Sequence, residues 1–295
     1  MARVVVADGL DEGAVAELGK AFGPVSVKPA DLGAELADAE ILIVRSKTRV
    51  TPALLALAPK LKVVARAGVG LDNVDADACA ERGIAVFNTP DASTVAVAEF
   101  AVAMIFSLLR HLPRADACMR ASRWEKSALA GRELSGKTVG IIGFGRIGSS
   151  VADRLRPFGC RILTFSLEFL KNPGDTEVVP LEELLARSDI VTLHVPLTPE
   201  TRHMMNAERI ALMKPDALIV NTARGELVDE EALYCALKAG KLGGAALDVY
   251  PVEPYSGKLC GLENVVLTPH IAGSTAEGQA RIGRQLVEKL KEIRL

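Results

Sequence analysis

Ten short apolar runs rich in β-branched residues, separated by helix-like stretches, constrain this chain more than any other feature. Four come early, at Arg3–Ala7, Ile41–Val44, Val63–Ala65 and Ala85–Phe87. Six follow, at Thr138–Ile142, Ile162–Phe165, Ile190–Leu193, Leu218–Val220, Ala245–Leu247 and Val265–Leu267. Helical patterns such as Glu12–Phe22 and Pro52–Ala58 lie between them. Strands that alternate with helices build right-handed βαβ units and parallel sheets. Unbroken apolar runs such as VGIIG belong in a sheet covered on both faces. The expected fold class is α/β, with two Rossmann-like domains on parallel sheets.

One glycine string sets the domain boundaries. Gly143-Phe144-Gly145-Arg146-Ile147-Gly148 follows the first strand of the second series and leads into helix-like Ile147–Phe158. Gly143 suits the tight turn, Gly145 the approach of backbone to a pyrophosphate, and Gly148 close packing of helix on strand. Main-chain N–H groups at the helix start then meet the phosphates. A dinucleotide domain opens with such a strand, so the expected nucleotide domain is 94–269. It is inserted into a substrate domain split between 1–93 and 270–295. The final helical stretch, Ala276–Ile293, has no strand after it and can pack back on the first part.

An acidic residue that bonds the ribose is expected about 20 positions on. The strand RILTF instead ends at Ser166, followed by Leu167 and Glu168. No carboxylate there repels a 2′-phosphate, yet no arginine stands beside it and Lys171 is the nearest base. The cofactor expected is NAD, with NADP left open. Glu168 reads either as a replacement acid or as a solvated loop charge.

At 295 residues the chain is long enough for two domains. A net charge of -2 gives no reason to expect nucleic acid, which favours a basic face. The five cysteines show no CxxC spacing and read as reduced, mostly packed thiols of a cytoplasmic protein. No metal site is expected. MARVVVADG runs straight into a strand, without a signal peptide. Val95–Leu109 contains Glu99 and falls short of the roughly 20 apolar residues of a membrane span, so it reads as a buried helix.

Three strings carry candidate chemistry: NTARGELVD around Arg224, DVYPVEP around Glu253 and TPHIAGST around His270. Each places one ionisable residue after an apolar run, where ligands of open α/β sheets bind. A guanidinium can hold a carboxylate through two parallel hydrogen bonds. Imidazole suits reversible proton transfer, and a carboxylate beside it fixes which nitrogen faces the substrate. His111 and His203 read as surface or capping residues. His194, closing IVTLHVP, either lines the pocket or is a packed, hydrogen-bonded histidine.

Further strings are VRSKTRVT at Val44–Thr51, LKVVARAGVGLDNVD at Leu61–Asp75 and RGIAVFNTP at Arg82–Pro90. With GFGRIG, NTARGELVDE, AALDVYPVEP and TPHIAGST, they make the chain resemble the D-2-hydroxyacid dehydrogenase family over essentially its whole length. Within that family it is most similar to the branch acting on phosphoglycerate. The resemblance implies a split two-domain fold, usually a homodimer built through the nucleotide domains. It implies that Arg224 binds the substrate carboxylate and polarises the carbonyl, that His270 exchanges the proton, and that Glu253 holds and charges His270.

The family's cofactor pocket falls on Arg146, Ile147, Thr222, Ala223 and Asp248; the expected cofactor-binding set also takes in Gly143, Gly145, Gly148, His194, Arg224, His270 and Gly273. The family's acidic ribose ligand falls on Ser166. Substrate contacts fall on Arg45, for the phosphate, and on Gly68, Val69, Gly70, Arg224 and His270. Lys126, after Trp124, would reach the phosphate of a neighbouring subunit's substrate. The implied reaction is NAD-dependent oxidation of 3-phospho-D-glycerate to 3-phosphohydroxypyruvate, the entry to serine. Larger members of the branch carry C-terminal domains that bind serine. This sequence ends one helix after His270, so such feedback is not expected. Two alternatives stay open. A glyoxylate or hydroxypyruvate reductase would not need Arg45. An NAD(H)-sensing corepressor could keep the trio, although no basic or disordered tail supports it.

Overall fold

In the computed structural model, which describes residues 2–169 and 174–293, the chain divides into two units. One holds the residues up to Thr94 and those from Ser274 onward; the other is Val95–Gly273. Residues 270–273, expected with the returning segment, stay in the second unit because the N–H groups of Ile271 and Ala272 bond the Asp248 carboxylate there.

The first unit is a five-stranded parallel sheet in the order β2-β1-β3-β4-β5. Its strands are β1 (Val4–Val6), β2 (Val25–Val27), β3 (Ile41–Val44), β4 (Val63–Arg66) and β5 (Ala85–Asn88). The helices between them are α1 (Glu12–Phe22), α2 (Leu32–Leu36), α3 (Pro52–Ala56) and α4 (Ala76–Glu81). Asp11, Asp31, Thr51 and Asp75 cap these helices, each side chain accepting an N–H of the first turn. Leu18 of α1 and Ile282, Leu286 and Leu290 of the C-terminal helix Ala276–Glu292 pack on Val4, Val6, Ile41 and Ile43. Leu36, Leu55 and Cys79 cover the other face, against Val5, Leu42 and Val64. β2 has no counterpart in the sequence reading. Pro24 and Ser26 interrupt its apolar pattern, and as an edge strand it is only partly covered.

The second unit opens with α5 (Thr94–Leu109) and α6 (Leu112–Arg120). There follow β6 (Thr138–Phe144), α7 (Arg146–Leu155), β7 (Arg161–Phe169), β8 (Glu177–Val178), α8 (Leu181–Arg187), β9 (Ile190–Leu193) and α9 (Ala207–Leu212). It closes with β10 (Leu218–Asn221), α10 (Glu230–Lys238), β11 (Gly244–Leu247) and β12 (Val265–Leu267). The seven strands are parallel, in the order β12-β11-β10-β9-β6-β7-β8. α5 is buried along Ala98, Ala101, Ile105 and Leu109. No single helix among the described residues is long and apolar enough to cross a membrane.

β7 does not stop before Ser166. The ladder pairs Ile142 with Phe165 and then Phe144 with Phe169, so β7 carries two extra residues at the slip. Ser166 therefore lies inside the strand, beside the turn at Gly143, and not past its end. Lys171 falls outside the described residues, as does the side chain of Glu168. Cys79 and Cys118 are buried and Cys160 half-buried, but Cys235 and Cys260 are exposed; Cys235 sits across α10 from the buried Leu233 and Leu237.

Candidate active site

Strand order in the second sheet reverses between β6 and β9, where ligands of open α/β sheets bind. Gly143 turns there with φ 93°. A Cβ on it would lie 2.5 Å from the His194 carbonyl oxygen, and one on Gly148 would lie 1.9 Å from the Gly143 carbonyl oxygen. Strand, turn and helix thus meet backbone to backbone. α7 starts after Gly145 with no side-chain cap. The first-turn N–H groups of Ile147 and Gly148 have no helical acceptor and lie at the positive end of the helix dipole. The Thr222 hydroxyl is buried with no hydrogen-bond partner among the described residues. An open helix N-terminus and an orphaned buried hydroxyl both fit a dinucleotide.

His194 donates its N–H to Ile142 at 2.7 Å, and its Nε2 lies 2.9 Å from the Thr192 hydroxyl. Burial pushes its pKa down to about 3, so it is a neutral, hydrogen-bonded group at the strand junction.

Arg224, Glu253 and His270 stand beyond the ends of the adjacent strands β10, β11 and β12. Buried Asn221 closes the first loop: its Nδ2 donates to the Arg224 carbonyl at 2.8 Å and its Oδ1 accepts the Ala223 N–H at 3.0 Å. The half-buried Arg224 donates from Nη1 to the Ala223 carbonyl at 2.6 Å. A Cβ on Gly225 would fall 2.1 Å from the Tyr250 carbonyl carbon, so the β10 and β11 loops touch through their main chains. Tyr250 donates its N–H to Glu253 Oε1 at 3.2 Å, and the Glu253 oxygens lie 3.0 and 3.1 Å from His270 Nδ1. A carboxylate accepts only, so Nδ1 carries the hydrogen and a neutral imidazole keeps Nε2 as its base. Both side chains remain open to a ligand, at 40% and 47% exposed.

Asp248, expected in the cofactor pocket, is fully buried beneath this turn. Its Oδ1 accepts from the Thr268 hydroxyl at 2.6 Å and the Ile271 N–H at 2.9 Å; its Oδ2 accepts the Ala272 N–H at 2.8 Å. Its own N–H donates to the Asn221 carbonyl at 3.0 Å. Asn221 and Thr268 are therefore site-building residues that the sequence reading passed over. An Asn at a strand end before a tight loop was the available signal for the first. Gly273 is the last residue of the unit.

In the first unit the half-buried Arg45 follows β3, and its guanidinium has no partner among the described residues. The expected glycine loop is only partly open. Gly68 donates its N–H to the Arg66 carbonyl at 2.9 Å, whereas the N–H groups of Val69 and Gly70 have no partner among the described residues. Thr89 N–H holds the Gly68 carbonyl at 3.0 Å, and the Asn88 amide holds that of Val69. Lys289 of the C-terminal helix bonds the Asn88 carbonyl at 2.8 Å. Lys126 opens a short 3-10 turn and is exposed, close in sequence to Trp124, which is 79% exposed.

A Rossmann-type sheet with an open helix N-terminus, and a histidine–carboxylate pair at its strand ends, defines a dinucleotide-dependent protein equipped for proton transfer. The family model "D-isomer specific 2-hydroxyacid dehydrogenase, NAD binding domain" matches residues 102–272. A hydroxypyruvate reductase of Thermotoga maritima is 48% identical over 261 residues, covering 87% of this chain and 85% of that protein. A D-3-phosphoglycerate dehydrogenase of Methanocaldococcus jannaschii is 43% identical over 99% of this chain, which spans 57% of its length. The structure of a D-lactate dehydrogenase from Aquifex aeolicus with NAD and lactic acid superposes with a TM-score of 0.85 at 33% identity, covering 98% and 94% of the two chains. The chain belongs to the D-isomer specific 2-hydroxyacid dehydrogenase family of NAD-dependent oxidoreductases, and it carries that family's NAD-binding domain.

Proposed function

We propose that the protein oxidises 3-phospho-D-glycerate at C2 to 3-phosphohydroxypyruvate, the entry to serine. The observation that carries this reading is Arg45, a cation at the carboxyl edge of the first sheet whose guanidinium has no partner among the described residues. A phosphate dianion is a fitting partner for it. The open N–H groups of Val69 and Gly70 would take the substrate carboxylate, together with the Arg224 guanidinium, which would also polarise the C2 oxygen. His270 Nε2 would remove the hydroxyl proton, and Glu253 on Nδ1 would hold the ring and balance its positive charge. The first turn of α7 would hold the pyrophosphate of NAD, Ser166 would lie along the ribose, and the Thr222 hydroxyl would bond within the same pocket. When bound, the nicotinamide supplies the acceptor for the hydride that leaves C2.

A second reading, reduction of hydroxypyruvate, has its own support in the 48% identity to a hydroxypyruvate reductase. Initial rates separate them. Phosphorylated substrates should exceed glycerate and hydroxypyruvate in kcat/KM by at least the roughly tenfold that one charge-assisted contact of about 1.5–3 kcal/mol supplies. Equal values for hydroxypyruvate and its phosphate would favour the reductase. The exposed Leu112, Met119 and Trp124 supply apolar surface for the homodimer that belongs to the same proposal.

A further inference from the structure

The first sheet reverses its strand order between β1 and β3, and the crevice of such a sheet opens beyond the strand ends at that point. Asp8 stands just past the end of β1 and Arg45 directly after β3. A carboxylate and a guanidinium so placed would ordinarily pair through their side chains. Here Asp8 does something else. Its Oδ2 accepts the main-chain N–H of Arg45 at 2.7 Å, its two oxygens lie 3.1 and 3.2 Å from the Thr48 N–H, and Oδ1 accepts the Thr48 hydroxyl at 2.5 Å. From the other side Asn73 donates its amide to the carbonyls of Arg45, at 2.7 Å, and Thr48, at 2.6 Å. Both ends of the 45–48 loop are therefore held through the main chain. Among the described residues the side chains of Arg45, Lys47 and Arg49 are left without an ion-pair partner.

We infer that Asp8 and Asn73 are positioning residues for anion recognition at this crevice: they fix the 45–48 loop and keep its guanidinium free for the substrate's phosphate. Both Asp8 oxygens are engaged by the N–H groups of Arg45 and Thr48 and by the Thr48 hydroxyl, so the carboxylate is held on the main chain and makes no ion pair with the Arg45 side chain. Without those bonds the carboxylate would turn to Arg45 and compete with the dianion. This inference rests on the phosphate role proposed for Arg45.

The test compares kcat/KM for phosphohydroxypyruvate and for hydroxypyruvate, with NADH, in Arg45→Ala, Asp8→Asn, Thr48→Val and the Arg45→Ala/Asp8→Asn double variant. Thr48→Val removes one bond to Asp8 and serves if Asp8→Asn does not fold. Arg45→Ala should lower the phosphate preference ten- to a hundredfold, the loss of one charge-assisted contact. Asp8→Asn should lower it about tenfold, through KM of the phosphorylated substrate with its kcat retained, and Thr48→Val should lower it less. The double variant should fall no further than Arg45→Ala, because both act through one guanidinium. If Arg45→Ala leaves the preference unchanged, the phosphate role falls and this inference with it. If Arg45→Ala lowers the preference but Asp8→Asn and Thr48→Val do not, or if the double variant shows additive losses, positioning is overturned while the phosphate role stands.

Discussion

Replacing Asp248 by Asn tests how the turn that carries His270 is held. The buried carboxylate takes the Thr268 hydroxyl and the Ile271 N–H on one oxygen and the Ala272 N–H on the other. Asparagine removes the charge and turns one of those oxygens into a donor. Its best orientation keeps the oxygen on Thr268 and Ile271 and sets the amide against the Ala272 N–H, a donor facing a donor with no water to take up the bond. A buried donor left unpaired costs about 1–3 kcal/mol, and the two surviving bonds lose charge assistance that roughly doubles their strength. The turn should loosen by about 3 kcal/mol, on the order of a hundredfold in its local opening. Hydrogen exchange of the amides from Thr268 to Gly273 reads this directly, and kcat should fall because His270 sits at the apex. NADH affinity should change far less. Native-like exchange at Ile271 and Ala272, combined with lost NADH affinity, would refute the reasoning and return Asp248 to the cofactor pocket.

His270→Asn should reduce turnover by about 10²- to 10⁴-fold, the usual share of a general acid–base group, with NADH binding near wild type; retention of half the activity would exclude proton transfer by His270. Glu253→Gln should be milder, since a hydrogen-bond partner for Nδ1 survives and only the charge is lost. Ser166→Asp should raise the NAD/NADP ratio of kcat/KM by repelling the 2′-phosphate; an unchanged ratio would show that Ser166 does not face the ribose. His194 has a folded pKa of about 3, below the ordinary value, so the unfolded chain takes up a proton that the folded one refuses. That contribution to stability is present above about pH 6.5 and is lost as pH falls toward 3, at up to about 1.4 kcal/mol per pH unit. Urea midpoints at pH 6.5 and 4.5 should therefore lie closer together in His194→Gln than in wild type, and equal separations would place the histidine in solvent.

What could be read from the sequence, and what could not, divides along a physical line. A strand buried on both faces announces itself locally, so β1, β3, β6 and β10 show as apolar runs, and the segments just past β3 and β10 carry Arg45 and Arg224. The strands β2 and β8 escape because their sequences carry no apolar run: β2 is Val-Ser-Val and β8 only the exposed pair Glu177–Val178, whereas the other edge strands, β5 and β12, keep one. The extension of β7 escapes because a register slip leaves no local mark. The bonds that set the site's geometry escape for a stronger reason: they run from a side chain to a distant main chain. Asp8 reaches Arg45 across 37 positions, Asn73 reaches it across 28, and Asp248 reaches Ala272 across 24. A main-chain N–H has no sequence identity, so nothing in residue type reveals which one a carboxylate will accept. The same logic explains Gly68, whose N–H is already committed to Arg66 while Val69 and Gly70 stay open. The sequence thus names the groups that meet a ligand, and the buried Asp and Asn residues behind them decide where those groups point. Substitutions behind the site should therefore alter selectivity and proton transfer without touching a single ligand-facing side chain.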